Sequence, residues 1–148
     1  MQSSSLLSRL YKKIESRPIL FLYSPLALYW LALFIGTTLP TDKIPQLFKV
    51  QDKFEHFFGY FGLAVLVHLW LHFQNRWSFL REKAYLFSFL IITCYAALDE
   101  IHQLFIPGRD CDILDWTADS IGGLIGATLI FLFIKASTKK NVPASASA

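Results

Sequence analysis

The chain has 148 residues, enough for one domain, of which 54% are hydrophobic and 16% aromatic; its mean hydropathy is +0.42 and its formal net charge +3. One small soluble core cannot hide that much apolar surface, which excludes an ordinary soluble domain. The two cysteines, Cys94 and Cys111, have neither metal-ligand spacing nor the pattern of a disulfide framework, and no nucleic-acid partner is expected.

Residues 1–18 form a basic segment in which Leu6, Leu7, Leu10 and Ile14 recur at helical spacing opposite Arg9, Lys12 and Lys13. This suits either a short helix lying on a membrane surface or a solvated basic tail that only sets topology. Residues 19–134 read as one membrane domain with four apolar spans, at about 19–39, 54–73, 84–106 and 114–134. Each is long enough to cross a hydrocarbon core as a helix. The first has no charge and no small-residue cleavage site, so it reads as a retained helix. Pro40 and Pro45, Gln74-Asn75 and Pro107-Gly108 mark the turns between spans. Connections this short make neighbouring helices antiparallel, so the expected fold is an all-α, four-helix transmembrane bundle. Residues 135–148 end in a Pro/Ser/Ala-rich stretch expected to be disordered. There is no internal repeat.

Charge sets the expected orientation. Ten of the 14 basic residues fall before span 1, between spans 2 and 3, or after span 4. Nine of the 11 acids fall on the other side, giving +8 on one side and −5 on the other. The positive-inside rule then puts both termini in the cytoplasm.

Charged groups within apolar spans are costly, so their positions carry information. Asp52, His56 and Tyr60 share a face of span 2, with Lys53 beside them. Tyr95, Asp99, His102 and Gln103 share a face of span 3, with Glu100 a quarter-turn away. Asp115, Asp119, Gly122 and Gly126 do the same in span 4, and Arg109 lies in the preceding loop. All of these fall at the extracytoplasmic ends of their helices, at similar depth. The expectation is a polar, ligand-binding pocket of Asp52, Lys53, His56, Tyr60, Asp99, Glu100, His102, Gln103, Arg109, Asp115 and Asp119.

Plainer readings stand beside this one. Asp52 and Lys53 suit a helix start. Asp99 suits a structural ion pair with Arg109, His102 or Lys53. Gln103 suits an interhelical hydrogen bond, and the span 4 glycines suit close packing. His68 and His72 read as interfacial, and Tyr29, Trp30, Trp70 and Trp77 as membrane anchors or packing groups. For chemistry, Asp99, His102 and His56 are the acid–base candidates, with Arg109 suited to hold a phosphate or carboxylate. A metal-dependent version would combine His56 and His102 with Asp52, Asp99 or Asp119. The one closely spaced histidine pair, His68 and His72, lies at the opposite end with no acid beside it. The expectation is therefore no metal and no cofactor.

Three segments carry a family resemblance: Asp52-Lys53-x-x-His56-Phe57-x-x-Tyr60, Asp99-Glu100-x-His102-Gln103-x-Phe105-x-Pro107-Gly108-Arg109, and Asp115-x-x-x-Asp119-x-x-Gly122-x-x-x-Gly126. With Leu39-Pro40 after an apolar helix, they resemble the VanZ-like family over about Tyr29 to Ile130. Many members of that family have Asn where this chain has Asp119. The resemblance implies a multi-pass protein of the bacterial cytoplasmic membrane, and the family's namesake confers low-level resistance to teicoplanin. The function expected is a role in the cell envelope or in glycopeptide resistance, through binding of a lipid-linked cell-wall precursor or a glycopeptide beside membrane lipid. The alternative is a membrane enzyme acting on such a head group. Transport fits least, because the inner halves of the spans are nearly free of polar groups. The sequence does not fix an oligomeric state.

Overall fold

The structure, a computed structural model, describes residues 6–40 and 51–139. The expected disorder of residues 141–148 and the turn at Pro45 lie outside the described residues. Six helices follow in order: α1 (Leu6–Ser16), α2 (Ser24–Thr38), α3 (Gln51–Phe73), α4 (Ser78–Glu82), α5 (Ala84–Gln103) and α6 (Ile113–Lys139). There is no strand among the described residues. Four segments, 19–38, 51–73, 84–103 and 113–138, are long and apolar enough to cross a membrane, so the chain is a four-helix transmembrane bundle.

Local chemistry explains the irregular places. Pro25 has no N–H to return to the preceding turn, and the chain answers with a wider, π-type turn over Ile19–Tyr23, in which Ser24 N–H reaches back five residues to the Ile19 carbonyl. The α3–α4 turn is closed by a buried Gln74 side chain, which accepts from Trp77 N–H at 2.8 Å and donates to the Trp77 carbonyl at 2.7 Å. The short helix α4 was not evident in the sequence. Leu6–Ser16 is helical.

α3 is the centre of the bundle. Its buried residues are His56, Tyr60, Leu63, Ala64, Val67, His68 and Leu71. They recur three and four apart, so one stripe of the helix faces the other spans. α5 answers with Ala84, Ser88, Ile92, Ala96, Asp99, Glu100 and Gln103. Lipid is as apolar as leucine, so van der Waals packing and polar clamps must hold such helices together. The α3–α6 contact is built for close approach. A Cβ at Gly122 would run into the Phe57 carbonyl, and one at Gly126 into the Phe61 carbonyl. The expected packing role of these glycines is what the structure displays. His68 departs from the expectation: it is 2% exposed, with its ring nitrogen 3.1 Å from the Ser88 hydroxyl, and is a core residue, not an interfacial one.

The helix ends shift from the sequence reading. α5 stops at Gln103, not Ile106, while α3 begins at Gln51 and α6 at Ile113. At about 1.5 Å per residue, this puts Asp99 roughly 6 Å and Asp119 roughly 9 Å from the ends of their helices.

Candidate functional site

The loop between α5 and α6 organises one end of the bundle. Ile106-Pro107-Gly108-Arg109 makes a tight turn: Pro107 presets its φ, Gly108 supplies a positive φ of 76°, and Arg109 N–H closes on the Ile106 carbonyl at 3.1 Å. Asp112 then caps α6, its Oδ1 accepting from Leu114 N–H at 2.8 Å.

From this frame three polar groupings arise. The first centres on Lys53, whose ammonium lies 2.6 Å from Asp115, 2.7 Å from Asp112 and 3.2 Å from Asp52. It ties the start of α3 to the start of α6. The Lys53 ammonium, with the Leu114 amide, holds the Asp112 carboxyl below its ordinary carboxylate range.

The second centres on His56. Its Nδ1 is 3.0 Å from Asp119 Oδ1 and 3.9 Å from Glu100 Oε1. All three side chains are buried, Asp119 completely, and among the described residues the second Asp119 oxygen has no hydrogen-bond partner. Glu100 is pinned by the Asp112 amide, which donates to Oε2 at 2.8 Å, and by Gln103 Nε2 at 3.4 Å from Oε1.

The third centres on Asp99. Two neutral hydroxyls serve it: Thr37 donates to Oδ1 at 2.8 Å and Tyr60 to Oδ2 at 3.0 Å. Among the described residues, no cation lies within ion-pair distance of Asp99, so Arg109, His102 and Lys53 do not play the partner role considered from sequence. Arg109 is engaged elsewhere. Its guanidinium donates to the Leu39 carbonyl at 3.0 Å, to Gly36 at 3.1 Å and to Gln103 Oε1 at 3.3 Å, fastening the loop to the last turn of α2. His102 stacks on Phe34, ring centroids 5.2 Å apart, and its buried Nδ1 has no partner among the described residues.

Two cavities open here. The first, about 220 Å³, is polar and includes Asp52, His56, Gln103, Arg109, Asp112 and Asp115 in its lining. The second, about 360 Å³, is a mainly apolar groove along α2, lined by Tyr29, Ala32, Leu33, Gly36, Thr37 and Leu39. Glu55, His56 and Arg109 line both, so the polar cavity and the apolar groove meet at those three side chains.

The residues singled out from sequence thus fall at one end of the bundle but in three separate groupings, with His102 in none of them. Thr37, Glu55 and Asp112 were missed. Thr37 had a signal, since it shares a helix face with Tyr29 at i and i+8 in an otherwise apolar span. Glu55 and Asp112 had none, for their roles follow from how the α5–α6 loop and α2 meet the start of α3.

The model of a family described as VanZ/LLP1 matches residues 20–134, most of the chain. No curated protein and no solved structure matches it.

Proposed function

The chain belongs to the VanZ/LLP1 family, and from that premise we propose that it is a multi-pass protein of the bacterial cytoplasmic membrane that binds an amphiphile from the cell envelope at its extracytoplasmic end. The observation that carries this reading is the junction of a polar cavity with an apolar groove at Glu55, His56 and Arg109. A free sugar or peptide would use the first alone, and a plain hydrocarbon the second alone. A lipid-linked cell-wall precursor fits both, with its head group in the cavity and the first part of its chain along α2. The groove also lies beside the least embedded span: 6% of the residue 19–38 window is buried, against 33% or more in the other three. A chain arriving from the bilayer meets little protein on the way.

The family's association with glycopeptides extends the reading. A protein that sequesters or shields such a precursor changes how much of it a teicoplanin-type antibiotic can reach.

Native mass spectrometry of the detergent-purified protein with a lipid-linked precursor tests the binding. We expect one lipid retained per chain, and weaker retention by Ala32→Phe, which fills the groove and leaves the polar groupings intact. Equal retention of the water-soluble head group alone would overturn the amphiphile reading. Deletion of the gene should raise susceptibility to teicoplanin; unchanged susceptibility would remove the resistance component. The enzyme alternative, using His56 and a neighbouring carboxylate as acid and base, is favoured only if the bound precursor is turned over.

A further inference from the structure

Among the described residues, the buried end of the bundle carries more negative charge than its cations balance. Asp99, Glu100, Asp115 and Asp119 are each at most 7% exposed. Lys53 serves Asp115 along with Asp52 and Asp112. Arg109 is spent on two carbonyls and an amide. Glu100 and Asp119 are left to share the single imidazole of His56, which carries at most one positive charge. Uncompensated buried carboxylates demand either protons or another cation.

We infer that His56, Glu100 and Asp119 form a binding site for a divalent transition cation of the Zn²⁺ or Mn²⁺ class. One ligand atom from each residue falls in a group with all separations within 4.8 Å. Imidazole nitrogen and carboxylate oxygen bind such ions at about 2.0–2.2 Å, which places ligand atoms on one ion about 3.0–3.5 Å apart. The 3.0 Å from His56 Nδ1 to Asp119 lies at that spacing, and the 3.9 Å to Glu100 needs only a small inward shift of that side chain to reach it. The three ligands come from three helices, and Glu100 is already oriented by the Asp112 amide and Gln103. The partnerless Asp119 oxygen supplies a further donor atom. His56 also lines both cavities, giving the ion a route in and leaving coordination positions open toward them.

The site accounts for a difficulty in the amphiphile reading, on which this last step rests. The polar cavity is rich in carboxylates, a poor host for a phosphate unless a cation bridges the two. As a cation site, the trio stands without any ligand.

The test uses the full-length protein in detergent, stripped with a chelator and titrated with Zn²⁺ or Mn²⁺ alone. We expect one ion per chain. Glu100→Gln and Asp119→Asn should weaken binding by about tenfold or more, whereas His72→Ala, at the other end of α3, should not. Zinc absorption spectra of the wild-type protein should show an imidazole and oxygen donors without sulfur, a readout needing no variant. Failure to bind either ion, binding unaffected by both substitutions, or sulfur in the coordination shell would each overturn the site. Lipid retention without metal binding would sink this inference and spare the amphiphile reading; metal binding without lipid retention would do the reverse.

Discussion

At the scale of single residues, Asp99 is held by two hydroxyls where the sequence had offered three cations. A carboxylate at that depth needs donors of some kind, and that much follows from burial. Which donors arrive depends on how α2 and α3 sit against α5, and nothing in the helix periodicity of span 3 states that. Tyr60→Phe leaves Asp99 Oδ2 buried with no donor among the described residues, where Tyr60 is its one partner. We expect a loss of about 1–3 kcal/mol in the wild-type background, and a smaller one in an Asp99→Asn background, where an amide that tolerates the loss replaces the carboxylate. A thermal-melting double-mutant cycle in detergent reads the difference; equal losses in the two backgrounds would show that the bond contributes nothing specific. Arg109 gives the converse lesson. Its loop position suggests mobility, yet Pro107-Gly108 fixes the turn and the guanidinium is docked on the end of α2. Arg109→Gln should therefore lower the melting temperature and loosen α2, beyond any effect on ligand. A variant as stable as wild type would free the residue for a ligand role.

At the scale of elements, the four spans were legible because apolar length is a property of sequence alone. Their ends were less so: α5 stops three residues early because Leu104–Ile106 turn into the Pro107-Gly108 loop, although they are as apolar as the helix before them. The glycine stripe of α6 was legible as packing, but its partners were not, since the positions it meets on α3 are set by crossing geometry. Gly122 and Gly126 face backbone carbonyls that cannot swing aside as a side chain can. Alanine at either should push α3 and α6 apart at a cost of about 1–3 kcal/mol. Gly36 is the control, for a Cβ there meets nothing within 4 Å, and helix propensity favours alanine by about 1 kcal/mol. Melting curves should therefore fall for Gly122→Ala and Gly126→Ala and hold or rise for Gly36→Ala. The same fall in all three would mean that the contact is not what the glycines serve.

At the scale of the whole molecule, what remains is which way the bundle faces. The fold brings the ends of α2 and α5 and the starts of α3 and α6 to one side, with their acids, while α4 and the basic residues Arg76, Arg81 and Lys83 lie at the other. Because basic residues resist translocation and acidic ones scarcely matter, the positive-inside rule predicts cytoplasmic termini for such a bundle. Two native thiols report on this without any engineering. Both are exposed on the protein surface, but for different reasons. Cys94 lies in the middle of α5, where exposure means contact with hydrocarbon, whereas Cys111 lies in the loop just before α6. A thiol attacks as the thiolate, which needs water, so Cys94 should stay inert to an impermeant maleimide in intact cells while Cys111 reacts. Permeabilisation should add nothing to the labelling if the loop is extracytoplasmic. If Cys111 labels only after permeabilisation, the bundle is inverted, and the polar cavity faces the cytoplasm with a different set of ligands before it.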